Sequence, residues 1–365
     1  MKLSVIVLNY NVRYFLELCL KSVEAAISDI DAEIIVVDNN SADDSCKMVR
    51  ERFPKVKLIE NKTNFGFSKG NNIGVAQAKG EYICILNPDT VVAEDTLTKV
   101  LNFADQQSNL GIVGCKLIDG AGNFLPESKR NVPTPEVALK KILGDTTTYY
   151  ANHLKPDSIG VTNVLVGAFM VLKRAVYHAV NGFDEDYFMY GEDVDLSYKI
   201  LNKGYTNHYY GHTTVIHFKG ECTFRNRVYA KNFNGSMQIF YKKHFKKSMV
   251  FEALIWGGIK GLTFLNLQPS VKKIDVKSIV FLSNNKNTLL ESALDKKIVT
   301  KRKIESVSAH QQIIFDNNLL SFKEIIAIME SFQDCNTVTY RIIPRASNFV
   351  IGSDNKVSRG NVIHF

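Results

Sequence analysis

Glu33–Ser45 reads EIIVVDNNSADDS. A β-branched apolar run stops at Asp38, and the Asp, Asn and Ser that follow supply turn and N-cap chemistry for a helix expected from Asp44 to Phe53. A strand without polar alternation is buried on both faces, and a helix directly after it is the crossover of a parallel sheet. The same unit repeats outward from this stretch. Toward the N-terminus, Leu3–Leu8 is an apolar strand, followed by Phe15, Leu16, Cys19, Leu20, Val23 and Ile27 at helical spacing. Toward the C-terminus come strands at Lys57–Glu60, Tyr82–Leu86 and Ile112–Leu117, with helices expected at Ser68–Ala78 and Asp95–Gln106. The expected fold is therefore α/β, a Rossmann-like, mostly parallel sheet flanked by helices, with ligands beyond the carboxyl ends of the strands. The loops placed there are Asn9–Asn11, Asp38–Ser41, Asn61–Asn72 and Asn87–Thr90.

After Leu117 the alternation weakens. Asp119–Ile159 carries Pro126, Pro133, Pro135 and Pro156 together with Tyr149 and Tyr150, and is expected to be a mobile flap. Asn163–Lys173 is apolar enough for a strand, in which Gly167 and Ala168 would let a ligand approach the backbone. Phe183–Leu196, FDEDYFMYGEDVDL, mixes carboxylates with aromatic rings and a methionine, too charged for a core and too aromatic for a solvated loop. It reads as the floor of an active site. A helix over Asp193–Asn202 should stop at Gly204, and Thr213–Phe218 should be a strand carrying His217. Met249–Leu267 is apolar but broken by Glu252 and Lys260; preceded by KKHFKK at 242–247, it suits a helix lying in a membrane interface, or else a core helix. From Val276 a second, small α/β series begins, with a strand expected at Ile304–Ser308 and a helix at Phe322–Phe332; without a G-x-G-x-x-G it is assigned no dinucleotide. The expected division is 1–245, 246–270 and 271–365.

With 365 residues, 45% hydrophobic and 22% charged, the chain has room for two domains and is not a disordered one. The net charge of +8 is concentrated: residues 219, 225, 227, 231, 242, 243, 246, 247 and 260 are Lys or Arg against Glu221 and Glu252, so this region is expected to face something anionic. Six cysteines without a CxxC pair argue against a disulfide framework or a zinc site and for a reducing compartment. The apolar run in MKLSVIVLNYN is too short for a signal peptide or a membrane span, so a cytoplasmic location is expected.

With its polar loops laid out, the chain resembles the family 2 glycosyltransferases, inverting nucleotide-sugar enzymes of the GT-A type, and especially their rhamnosyltransferase-like members. The resemblance runs from VIVLNYN (5–11) through VVDNNSADDS (36–45), NFGFSKGNNIG (64–74), LNPDT (86–90) and VGAFMVLKR (166–174) to GFDEDYFMYGEDVDL (182–196) and His217. It covers about Met1–His244 in the family's motif order.

The resemblance implies a donor pocket in which Asn9 and Tyr10 line the base and ribose and Asp38 accepts from the base. Asn64, Gly66, Lys69 and Asn71 would surround the ribose and phosphates. Asn87-Pro88-Asp89 stands where the family has D-x-D, so Asn87 replaces the first acid and Asp89 is left to hold a divalent ion, Mg²⁺ or Mn²⁺. His217 is the expected third element of that site, with His212 as its competitor. An acceptor hydroxyl needs a carboxylate within hydrogen-bond reach as it attacks the anomeric carbon. The resemblance gives that role to Asp193, with Glu192 steering the acceptor, and Gly167, Ala168, Asp184, Glu185 and Tyr190 on the acceptor side. The plainer reading of Asp193 and Asp195 is as acids favouring a helix N-terminus, worth about 0.3–1 kcal/mol each. The implied partners are a UDP- or dTDP-sugar, such as dTDP-rhamnose, and a glycan or lipid-linked saccharide, with possible peripheral contact to an anionic membrane and no nucleic acid. A glycoside hydrolase, which also uses two carboxylates, and a non-catalytic nucleotide-sugar-binding or scaffold protein are the rival readings.

Overall fold

The computed structural model describes residues 1–219, 227–245, 274–333, 335, 337–355 and 359–365. The apolar runs become β1 (Leu3–Asn9), β2 (Ala32–Asp38), β3 (Lys57–Glu60) and β4 (Tyr82–Leu86), which run parallel in the order β3-β2-β1-β4. Val5, on central β1, is opposite Ile34 on one side and Cys84 on the other. The crossovers are α1 (Arg13–Ala26), α2 (Ser45–Arg52) and α3 (Gly66–Ala76). Thus β1, β2 and β4 all deliver their carboxyl ends to one edge.

The chain continues through β5 (Thr90–Val92), α4 (Thr96–Asp105), β6 (Leu110–Ile118), β7 (Lys129–Arg130), α5 (Pro135–Ile142), β8 (Ile159–Val161), β9 (Val164–Leu165), β10 (Phe169–Lys173), α6 (Arg174–Ala179), α7 (Glu192–Asn202), β11 (Thr206–His217) and α8 (Arg227–His244). Strand β10 enters antiparallel between β4 and β6, and β11 runs parallel to β6 and antiparallel to β5, completing a nine-stranded sheet with β8 at its side. The strand expected over Asn163–Lys173 is broken into β9 and β10 at Gly167, whose N–H bonds the Asp193 carboxylate at 3.2 Å, while Ala168 C=O accepts from Asn87 N–H at 3.0 Å in the register of β10 with β4. The expected flap over 119–159 is tied in, not peripheral, since β7 pairs with β9 and brings Arg130 into the protein, where it is 8% exposed.

The C-terminal series forms β12 (Ser278–Leu282), α9 (Thr288–Leu294), β13 (Ile298–Lys301), β14 (Gln311–Asp316), α10 (Phe322–Ser331), β15 (Thr339–Ile343), β16 (Phe349–Gly352) and β17 (Asn361–His364), a sheet of order β13-β12-β14-β15-β16-β17. The strand expected at Ile304–Ser308 is a loop; Ile304 and Val307 pack on the core from it, and the paired strand is Gln311–Asp316. This sheet does not stand apart. Val12, Phe15 and Leu18 of the α1 region and Ile118, Ile216 and Phe218 of the first sheet share one apolar cluster with Val280, Ile313, Phe322, Ile325 and Phe349. Polar ties surround it: Glu94 accepts from Phe322 and Lys323 N–H at the start of α10 at 2.8 and 2.9 Å, and Lys116 pairs with Glu330 at 2.7 Å. The opposite face of α1 (Leu16, Cys19, Leu20, Val23) packs on the first sheet.

Among the described residues no helix is long and apolar enough to cross a membrane. Residues 249–267, expected to form an interfacial helix, lie outside the described residues, as do Arg225, Lys246, Lys247 and Lys260. Of the basic cluster that was expected to face an anionic partner, Lys243 is spent internally, 2.5 Å from both Asp184 and Asp186, and Lys219 pairs with Glu127.

Candidate active site

At the carboxyl edge of the parallel strands a cleft of about 360 Å³ opens, walled by loops of the first sheet on one side and by Met189–Asp193 with residues of the 127–150 segment on the other. On the first wall β1 ends in Asn9 and β2 in Asp38. The Asn9 side-chain amide donates to Asp38 Oδ1 at 2.8 Å and to Ser41 Oγ at 3.1 Å, while Asp38 Oδ2 accepts from Ser41 N–H at 2.8 Å. Asn9 and Tyr10 line the cleft; Asp38, 2% exposed, stands behind Asn9 and reaches the cleft only through it. Asn39 donates to Asn64 and to Gly66 C=O, which sets Asn64 and Gly66 in the lining. Gly66 has φ +79°, and a Cβ there would sit 2.4 Å from Phe188 O, so only glycine lets the Phe183–Gly191 loop close over α3.

Besides Asp38, two further expected donor residues, Lys69 and Asn71, do not reach the cleft. Gly70 and Gly74 face β1, with Leu8 and Ile6 where their Cβ atoms would be, and this roll of α3 buries Asn71 against Phe67 C=O and turns Lys69 outward over the Phe65 ring. Asp184 and Glu185 are likewise absent from the lining: Asp184 pairs with Lys243, and Glu185 accepts from Asn72 at 3.1 Å. Helix α8 explains the loop's posture, since Ser236 donates to Met189 C=O at 3.0 Å and His244 meets buried Asp195 at 2.6 Å. Asp195 also pairs with Lys199 at 3.0 Å, the i,i+4 contact its spacing allows.

Asp89 and His217 are far apart in the chain but adjacent in space. Strands β5 and β11 pair with His217 opposite Thr90, and Phe218 N–H bonds Asp89 C=O at 3.0 Å. His217 Nε2 lies 3.4 Å from Asp89 Oδ1 and 3.3 Å from the Asn87 amide. Both side chains are buried and line the cleft, and among the described residues Asp89 Oδ1 and His217 Nδ1 have no hydrogen-bond partner. A carboxylate oxygen without a hydrogen-bond donor and an imidazole nitrogen beside it suit a small divalent cation. Among the described residues no cluster of three such groups occurs, so substrate oxygens or water would complete its shell. His212 is exposed, lines a different surface beside Asp95 and Glu330, and does not enter the cleft.

Across the cleft, Gly191 (φ +79°) starts α7 and sets Glu192 and Asp193 in its first turn. Asp193 Oδ2 accepts from Arg130 Nη2 at 2.5 Å and from Gly167 N–H at 3.2 Å, and Oδ1 accepts from Val194 N–H at 2.8 Å. The carboxylate is thus fixed by three donors and aimed, 8% exposed, into the cleft. Arg130 is the partner the sequence did not reveal; despite burial, Asp193 and Tyr149 hold its charge more firmly than usual. Glu192 differs from its neighbour. Burial pushes its carboxyl up to about 8, with Asp193 adding to the shift, and among the described residues its Oε2 has no partner. Gly167, Ala168 and Tyr190 line the cleft beside this pair. Lys141 and Tyr149 line it too and were not anticipated; no periodicity or motif in the proline-rich segment marks them.

Residues 4–177 match the profile of glycosyl transferase family 2, and residues 161–221 match that of the N-terminal domain of galactosyltransferase. The chain is 27% identical over 242 residues to N-acetylglucosaminyl-diphospho-decaprenol L-rhamnosyltransferase of Mycobacterium tuberculosis, covering 61% of this chain and 78% of that one. It is 27% identical over 209 residues to the rhamnosyltransferase WbbL of Escherichia coli, covering 54% and 77%. A mannosyltransferase of Pyrobaculum calidifontis, solved in complex with GDP-Man and Mn²⁺, superposes with a TM-score of 0.48 at 19% identity, over 74% of this chain and 76% of that one.

Proposed function

The chain carries a family 2 glycosyltransferase domain and is a nucleotide-sugar glycosyltransferase; on that premise we propose that it moves a sugar, with inversion, from a UDP- or dTDP-sugar such as dTDP-rhamnose to a glycan or lipid-linked saccharide of the cell envelope, with Asp193 as base. The observation that carries this reading is the placement of Asp193: a buried carboxylate fixed by Arg130 and Gly167, facing a cleft whose other wall holds Asp89 and His217.

In this mechanism Asn9, Tyr10, Asn64 and Gly66 seat the nucleoside, and Asp38 acts by orienting Asn9. Asp89 and His217, with Asn87 beside them, hold a divalent ion, which when bound neutralises charge on the leaving nucleoside diphosphate. Asp193 accepts the acceptor's hydroxyl proton as the oxygen attacks the anomeric carbon from the face opposite the leaving group. Arg130 positions Asp193 and touches no reacting atom. Glu192, held protonated at neutral pH, donates a hydrogen bond to the acceptor and leaves the proton transfer to its neighbour. Residues 1–245 perform the reaction and 271–365 buttress α1; peripheral membrane contact belongs to the 246–270 segment.

The test is nucleotide release from a panel of UDP-, GDP- and dTDP-sugars with added acceptor, before and after EDTA. Asp193→Asn is expected to lower transfer at least a hundredfold while nucleotide binding persists. Near-wild-type transfer by this variant would remove Asp193 as base, and transfer indifferent to EDTA would remove the metal from Asp89.

A further inference from the structure

We propose that Lys141 is a second counter-charge for the donor, its ammonium group binding the diphosphate of the nucleotide sugar and facing the leaving group as the bond to the sugar breaks. The inference rests on the transferase reading above and adds to it a residue that no motif assigns.

The charges that line the cleft pair off one by one. Arg130 is taken by Asp193 at 2.5 Å, and Lys219 by Glu127. Asp89 belongs to the divalent ion. Lys141, in the last turn of α5, is the cation left over: among the described residues no carboxylate is within ion-pair distance of its Nζ, which lies 3.3 Å from the centre of the Tyr149 ring and 6.0 Å from that of Phe233. Burial lowers its pKa. An ammonium that sheds water without gaining a counter-ion is costly unless a ligand supplies the anion. Arg130 offers a further donor, since among the described residues its buried Nε has no acceptor. Tyr149 registers the same excess of positive charge: burial alone would raise its phenol, yet Arg130 and Lys141 bring it below its ordinary value.

Two ties set this surplus between the base and the metal position. Phe218 N–H bonds Asp89 C=O at 3.0 Å, and Lys219, the next residue, pairs with Glu127, an acid whose charge acts on Lys141. On the other side Tyr149 connects Lys141 with Arg130, and Arg130 holds Asp193. In a displacement with inversion the attacking oxygen comes from the Asp193 end and the leaving oxygen departs toward Asp89 and His217. A cation between those ends meets the diphosphate.

The chemistry has a use for it. Asn87 stands where the metal position would carry another acid, so Asp89 is the carboxylate that holds the ion there. As the bond from the anomeric carbon to the β-phosphate oxygen breaks, its electron pair stays on that oxygen. The Lys141 ammonium faces the added charge and keeps its proton, a fixed charge that needs no reorganisation during the step.

The test is made without metal. Calorimetry on the full chain in EDTA compares uridine with UDP and thymidine with dTDP. In the pair that binds, the diphosphate is expected to bind at least about tenfold tighter than the nucleoside, the worth of one charge-assisted hydrogen bond. Lys141→Met should close that gap to within about threefold, while Lys141→Arg keeps it. Nucleoside affinity, unchanged in both variants, is the check on folding. A wild-type protein without the gap, or a Lys141→Met protein with the gap intact, would overturn the proposal. Equal loss of nucleoside and diphosphate affinity in both variants would make Lys141 a structural support and overturn it too. So would a Lys141→Met protein whose sole defect, with Mg²⁺ restored, is a raised KM for the acceptor, because the anion at Lys141 would then be the acceptor's. Binding of neither nucleoside nor diphosphate, with or without Mg²⁺, would instead overturn the transferase reading.

Discussion

Replacing Arg130 by Met should cost about 3–5 kcal/mol of stability, because it leaves the Asp193 charge buried without its cation. The side chains of the pair are 9% and 12% exposed, so solvent screening does little to soften the loss. Gly167 and Val194 N–H still bond the carboxylate, which places the expectation near the lower end, about 3 kcal/mol. Asp193→Asn should likewise destabilise, since it strands the Arg130 guanidinium. The double variant removes both charges. Its cost should fall short of the sum of the single costs by about 2–3 kcal/mol, the coupling energy of a buried, hydrogen-bonded pair. Urea unfolding of the four proteins at pH 7, extrapolated to water, measures this directly. The apolar cluster shared by the two sheets predicts a single transition for each. Additive single costs, or an Arg130→Met protein within about 0.5 kcal/mol of wild type, would mean that Arg130 does not hold Asp193.

Glu192 gives a pH-dependent prediction. Its folded carboxyl is raised from 4.5 to about 8, so the native state binds this proton more tightly than the unfolded chain, and the associated stability is full below about pH 4.5 and lost as pH rises through 8. Glu192→Gln should remove that decline, visible as a flatter Tm between pH 5 and 9; an unchanged slope would reject the shift. Gly66→Ala should destabilise by about 1–3 kcal/mol, since the added methyl meets backbone at Phe188 O and φ is +79°. It should also weaken nucleotide binding, measured by calorimetry, by displacing the loop that covers α3; a neutral outcome would show that this loop yields readily.

The parallel half of the first sheet was legible because each of β1, β2 and β4 is a run of apolar residues ended by a polar loop, a pattern local to the chain. What joins the two walls of the site is not local. Arg130 meets Asp193 across 63 residues, and His217 meets Asn87 across 130. Nothing in SKRNVPTPE predicts that Arg130 turns inward, since the pairing of β7 with β9 decides it. Lys69 and Asn71 were placed by motif order, whereas the roll of α3 is set by Gly70 and Gly74 needing to touch β1. The acidic loop drew attention for the right stretch but for too many of its carboxylates, because Lys243 and His244 answer Asp184, Asp186 and Asp195 from a helix about 50 residues later. In the C-terminal part, the segment expected as a strand at Ile304–Ser308 is a loop, from which Ile304 and Val307 pack partly buried on the core.

The use of α1 on both faces bears on how this architecture can be inherited or rebuilt. Leu16, Cys19, Leu20 and Val23 belong to the catalytic sheet's interior, while Phe15 and Leu18 belong to an interior completed by the C-terminal strands. A lineage that shed the C-terminal unit, about the last quarter of the chain, would present Phe15, Leu18, Ile118, Ile216 and Phe218 to water at once, and would survive only if those positions turned polar in step. The C-terminal unit is accordingly no detachable module. Its presence is written into the N-terminal helix, so shuffling this transferase between pathways means moving both parts together.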